Sequence, residues 1–138
     1  LQTFVHYANH FLVIFFIARL YTPKHVWKSY LVLLTTMLVD IDHLWAIPIF
    51  DPSRCSIGFH TFHLEIAILI YIFIFIFVKN KWVRLISIGL IFHMITDAID
   101  CIWSNFDCFL NYFNGDESFY FMKLLYLFFL LTSIINSL

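Results

Sequence analysis

Long apolar runs, each closed by a few polar or ionisable side chains, dominate the sequence. A membrane-spanning helix needs about 20 mostly apolar residues, and five segments meet or approach that length. Phe4–Leu20 is closed by Thr22-Pro23, and Ser29–Trp45 by Pro48 and Pro52. His60–Val78 and Trp82–Trp103 follow, and Phe119–Ile135 lies beyond a polar stretch containing Asn111, Asn114, Gly115, Asp116, Glu117 and Ser118. There is no internal repeat and no low-complexity linker. The pattern predicts an all-α, polytopic integral membrane helical bundle of four core transmembrane helices, with 119–135 as a fifth. Residues 1–138 then form one membrane domain, whose core, 3–103, carries the candidate chemistry.

Composition strengthens that expectation. The chain is 62% hydrophobic and 12% charged, with a mean hydropathy of +0.89, against about 25% charged residues in soluble domains. Eighteen Phe, mostly inside the apolar runs, suit lipid-facing helices better than a soluble core of this size. Net charge is −1, and no basic stripe interleaved with aromatics is present, so nucleic acid is not an expected partner. The first apolar run contains His6 and His10, and no small-residue cleavage site follows Tyr21-Thr22-Pro23, so it reads as a retained helix rather than a signal peptide.

Charge sets an expected orientation. Arg19, Lys24 and Lys28 surround the first connection and Lys79, Lys81 and Arg84 the third, so six of the eight basic residues mark one side. Basic loops stay cytoplasmic, which places the N-terminus outside and predicts a multi-pass membrane protein. All nine acids and six of the seven histidines then fall on the outer half; His25 is the exception.

Those acids and histidines are the candidate chemistry, because ionisable groups at membrane depth are costly and are kept where they pair, bind an ion or act on a substrate. Asp40-Ile41-Asp42-His43 ends the second run. Asp40 and His43, at i, i+3, share a helical face, whereas Asp42 points elsewhere unless the helix is ending there. His6 and His10, at i, i+4, share a face and can hold one ion as in helical zinc sites. His60 and His63 open the third run, ahead of Glu65. His93, Asp97 and Asp100 form a stripe at i, i+4, i+7 that must face the bundle or a wet cavity. Taken singly, each pair could be a hydrogen-bonding or capping group. Four helices delivering such pairs to one level point to a metal site. Mixed imidazole and carboxylate ligands suit zinc first, with iron or manganese next, rather than calcium. One or two ions are expected, since the candidates exceed the four ligands one zinc takes. Asp40, Asp42, His60, His63, His93 and Asp97 are the first choice as ligands, and His6, His10 and His43 the next. Asp100 or Glu65 is the candidate general base. Arg54 can bind a phosphate or pair with Asp51 or anionic lipid.

Cys55, Cys101 and Cys108 all fall on the outer side, where disulfides persist. Cys55 precedes the third helix and Cys101 lies near the end of the fourth, so a Cys55–Cys101 bond is expected, with thiolate ligation as the alternative.

Asp40-Ile41-Asp42-His43, the loop Arg54-Cys55-Ser56-Ile57-Gly58-Phe59-His60 with His63, His93-Met94-Ile95-Thr96-Asp97 and the early His6-Tyr7-Ala8-Asn9-His10 resemble a small bacterial membrane family of unknown function. That family is similar to a broader group described as inner-membrane metal-dependent hydrolases, itself likened to zinc-dependent phospholipase C. The resemblance covers about Thr3 to Trp103 and implies a helical membrane fold with a metal site at these His and Asp positions. The third-helix motif of the broader group, His-Arg-x-x-x-His-Ser, reads His60-Thr61-Phe62-His63-Leu64 here.

The leading expectation is a membrane-bound metal-dependent hydrolase acting at the outer interface on a lipid or lipid-linked phosphoester. A membrane subunit merely stapled by metal is the alternative. A proton or ion conduit ranks last, because only Thr35, Thr36 and Ser87 continue the polar positions toward the cytoplasmic side.

Overall fold

The computed structural model describes residues 2–49, 51 and 54–104. The expected fifth helix lies outside them, as does Cys108. Among the described residues the chain is helices and connecting loops, without strands. The first rod runs α1 (Gln2–Ala8), a π-helical turn over Asn9–Val13 and α2 (Ile14–Tyr21). It is followed by α3 (Val26–Thr35), a 3-10 helix over Thr36–Trp45, a short 3-10 turn at Thr61–His63, α4 (Glu65–Phe77) and α5 (Lys81–Ser104).

α5 is the hub, packing against α4, α3, the long 3-10 segment and α1, while α2 pairs with α3. It can do so because every fourth residue along it is buried: Leu85, Gly89, His93, Asp97 and Cys101. At the basic end of the molecule this stripe closes an apolar cluster of Ile14, Ala18, Leu33 and Leu85. Val39, Ile57 and Met94 form a second cluster nearer the candidate ligands. Between them α5 approaches the second rod at Gly89, where a β-carbon would lie 2.7 Å from Thr36 Cγ2 and 2.9 Å from Leu33 Cδ2.

The second rod changes winding at that contact. Thr36 N–H and Thr36 Oγ1 both donate to the Leu33 carbonyl, the latter at 2.6 Å, and Thr35 Oγ1 bonds Val32 O. These i−3 bonds favour the tighter 3-10 helix, in which residues three apart eclipse. Nine of the ten residues sort into rows accordingly, and Trp45 at the end is exposed. Thr36, Val39 and Asp42 are buried, Met37, Asp40 and His43 are half-buried, and Leu38, Ile41 and Leu44 are exposed. Asp42 thus turns inward because the helix winds as 3-10, not because it has ended.

The third apolar run departs more from expectation. His60–Val78 is not one helix: Leu64 is extended at ψ 156°, and α4 begins only at Glu65. The backbone donors of the preceding segment are spent on a compact loop. Gly58, at φ 80°, donates its N–H to His63 O at 3.1 Å, and His60 N–H bonds Ser56 O at 3.2 Å. His60 and His63 therefore sit on a turn folded against the 3-10 helix, rather than on the first turn of α4.

The outside of the described residues is apolar, with Leu20, Leu38, Trp45, Ile47, Ile66 and Phe73 among many exposed side chains, whereas six His and Asp residues are buried. Two helices, Phe4–Tyr21 and Lys81–Ser104, are long and apolar enough to cross a membrane.

Replacing Gly89 by Val should force α5 away from Thr36 and Leu33, costing about 1–3 kcal/mol by overpacking. Thermal unfolding of the detergent-solubilised variant should show a clearly lower midpoint; an unchanged midpoint would refute the close contact.

Candidate metal centre

Three segments bring four atoms to one point. Asp40 comes from the middle row of the 3-10 helix, His63 from the turn before α4, and His93 and Asp97 from successive turns of α5. Asp40 Oδ1 lies 2.9 Å from His93 Nε2 and 3.4 Å from His63 Nε2. Asp97 Oδ2 lies 3.0 Å from His63 Nε2 and 3.5 Å from His93 Nε2. All four atoms fall within 4.8 Å of one another. Bonds of about 2.0–2.2 Å in a tetrahedron put neighbouring ligand atoms about 3.3–3.6 Å apart. The four separations match that spacing or fall a few tenths of an ångström short.

His63 shows the direction of the donor set. Its Nδ1 is 3.2 Å from Asp42 Oδ2, which also accepts Phe62 N–H at 2.6 Å. A carboxylate only accepts, so Nδ1 carries the proton, and in the neutral ring Nε2 presents its lone pair to Asp40 and Asp97. A lone pair facing two carboxylate oxygens is repulsive unless a proton on Nε2 or a cation between them joins the groups. Nε2 is buried and, despite its short distances, makes no directed hydrogen bond. A shared central ion would fit that arrangement. Asp42 thereby fixes the tautomer and ring plane of His63, as a carboxylate behind a ligating histidine would. Tyr71 braces the same turn by donating its hydroxyl to Phe62 O at 3.1 Å. Nothing in the apolar run around Tyr71 marked it beforehand.

The remaining candidates surround this core. His10 Nε2 lies 3.9 Å from Asp97 Oδ1, and His6 Nδ1 lies 3.8 Å from Asp100 Oδ2. The donor atoms of His6, His10 and Asp97 form a second close group, and those of Asp42, His43 and His60 a third. In the third, the His43 and His60 rings stack at 3.7 Å and 12°. Parallel rings point their in-plane lone pairs side by side, not at one centre, and His43 Nε2 is 3.6 Å from Asp40 Oδ1. Asp100 faces His6. Glu65 opens α4. Arg54 braces its own loop: Nη1 donates to Pro48 O at 2.9 Å, Nη2 is 3.7 Å from Asp51 Oδ2, and the guanidinium lies 4.5 Å from the Phe59 ring.

Cys55 and Cys101 form a disulfide with a Cα–Cα distance of 5.2 Å. It ties the loop that carries His60 and His63 to the end of α5 that carries Asp97 and Asp100.

Residues 1–104 match a family of unknown function, DUF6122. The chain belongs to the DUF6122 family. That match agrees with the unknown-function family of the sequence resemblance, while the likeness to metal-dependent hydrolases is not part of it. No curated protein and no solved structure matches the chain.

Asp42→Asn keeps the shape but weakens the hold on His63 Nδ1. Losing a carboxylate behind a ligating histidine lowers metal affinity about 10–100-fold. Titration against a fluorescent chelator should show this in protein of unchanged helicity; wild-type affinity in the variant would remove Asp42 from the account.

Proposed function

We propose that this DUF6122 member is a membrane-embedded, metal-dependent hydrolase whose centre is held by Asp40, His63, His93 and Asp97 and faces the outer membrane interface. The observation that carries the reading is the convergence of those four atoms on a point open at one side. His63, His93 and Asp97 side chains are 0%, 1% and 5% exposed, whereas Asp40 is 38% exposed. Solvent or substrate can therefore reach the centre past Asp40.

Placement in a membrane rests on three observations. The exterior is apolar and the ionisable groups face inward, the arrangement lipid demands. Residues 26–45 are helical without a break, and ten α and ten 3-10 residues rise about 35 Å together, enough for a hydrocarbon core of about 30 Å. α4, with 13 residues, rises only about 20 Å, so the turn before it would enter from the outer face and stop at the centre. Orientation is supported at both ends. Lys28 and Lys81 flank the Trp82 ring at 4.6 and 5.3 Å, on the basic side. The Cys55–Cys101 bond lies at the centre's end, where an oxidising compartment preserves it.

A zinc, manganese or iron ion in this donor set would acidify a water toward neutrality and polarise a phosphoryl or carbonyl oxygen. The chain's own part is orientation. Asp42 fixes His63, α5 fixes His93 and Asp97 one turn apart, and the stacked His43 and His60 wall the open side. An entrance at head-group level favours a lipid or lipid-linked phosphoester.

A second reading has its own observation: four protein ligands already complete a tetrahedral shell, as in structural zinc sites. It predicts loss of folding on metal removal. A proton conduit gains nothing, because the Thr35, Thr36 and Ser87 hydroxyls all donate to backbone carbonyls.

Metal-loaded protein in phospholipid vesicles should release a phosphorylated head group or phosphatidate, followed by phosphorus NMR, and His63→Ala should reduce the rate at least 100-fold. No turnover of any phosphoester by loaded, folded protein, with unfolding on chelation, would favour the structural reading.

A further inference from the structure

We propose that His6, His10 and Asp97 hold a second divalent cation, bridged to the first by the Asp97 carboxylate, and that the pair serves an anionic phosphoester. The proposal rests on the metal-centre reading above and extends it to a site with three protein donors.

Asp97 uses its two oxygens differently. Oδ2 faces His63 and His93, while Oδ1 faces His10 Nε2 at 3.9 Å. That distance exceeds the 2.7–3.2 Å of an N–H···O bond and lies a few tenths of an ångström beyond the spacing of neighbouring ligands on a tetrahedral ion, a gap that a bound ion would close. His10 is 2% exposed, and its Nε2 is buried with no hydrogen-bond partner. A buried, unpartnered imidazole nitrogen aimed at a carboxylate from beyond hydrogen-bond reach is costly unless something lies between. The His10 ring centroid is 4.5 Å from those of both His6 and His93, so this second group abuts the first. The π-helical turn over Asn9–Val13 begins beside His10, the kind of local rewinding that recurs at functional sites.

Charge supplies an independent argument. Asp40, Asp42, Asp97 and Asp100 all contact histidines of the cluster, and Arg54 is paired with Asp51. With the histidines neutral, as ligation requires, four carboxylates balance two divalent ions and leave one ion two charges short. Two divalent ions give a neutral centre without protonating His6 or His10, and a pair about 3.5–4 Å apart clamps the attacking and departing oxygens of a phosphoester. The first group fills a tetrahedral shell by itself. The second, with three protein donors, is the one that keeps a coordination position for water or substrate. In the hydrolysis, a water oxygen bonds to phosphorus, the phosphorus–oxygen ester bond breaks, and the water's proton passes to the departing alkoxide. No other reactant is consumed.

The test is Mn(II) binding to metal-stripped protein in detergent, with metal counted by plasma mass spectrometry and low-temperature electron paramagnetic resonance as a second readout. Wild type should bind two equivalents with a spin-coupled signal. His10→Ala and the more exposed His6→Ala should each bind one equivalent with an uncoupled Mn(II) signal, while His25→Ala keeps two. His6→Ala guards against a His10 variant that misfolds. One equivalent in wild type, abolished by His63→Ala and untouched by His10→Ala, would overturn the second ion while leaving the single-ion reading. Two coupled equivalents persisting in both variants would overturn the assignment of His6 and His10. No bound metal in folded wild type would overturn both readings.

Discussion

A carboxylate held at 5% exposure against three imidazoles governs the arrangement of this protein. Asp97 cannot be left unpaired among helices whose outer faces are apolar, because an isolated buried charge is among the costliest features a fold can carry. His63, His93 and His10 reach it from the turn before α4, from α5 itself and from the first rod. Each helix is therefore placed by what it must deliver to Asp97 and its neighbour Asp40. The apolar clusters around Leu33, Leu85, Val39 and Met94 pack the elements but leave their relative heights to be set by the polar groups.

The 3-10 winding of Thr36–Trp45 is the structural device that makes this possible. In an α-helix, Asp40 and Asp42 point about 200° apart, so one would face lipid. With three residues per turn they are about 120° from each other in either sense. Asp42 then faces inward to hold His63, Asp40 faces the centre's open side, and Leu38, Ile41 and Leu44 take the outer row. Gly89 lets α5 approach where the winding changes, and the disulfide pins the opposite end of the same helix to the ligand-bearing loop.

Much of this was legible in the sequence. Spacing of four along α5 placed His93 and Asp97 on the buried stripe, and the apolar runs located the helices, except that the run over 60–78 holds a turn and the shorter α4. Cys55 and Cys101 were legible as a pair from their positions flanking the candidate ligands. The period of three in Leu38, Ile41 and Leu44 was also present, but an assumed α-helical phase hid it, so that Asp42, expected as a ligand, turned inward only if the helix ended there. His60-Thr61-Phe62-His63 looks like a helix start by spacing alone. Only the tertiary bond from Phe62 N–H to Asp42, with the Gly58 turn, shows that the segment is a loop. The stacking of His43 on His60 depends on that loop and had no local signal.

X-ray absorption on zinc-loaded protein tests the central claim most directly. The account predicts a first shell of nitrogen and oxygen near 2.0–2.2 Å, with imidazole outer-shell scattering that is reduced in His63→Ala, and no sulfur. A sulfur-dominated shell, or a spectrum unchanged by removing His63 or Asp40, would contradict it.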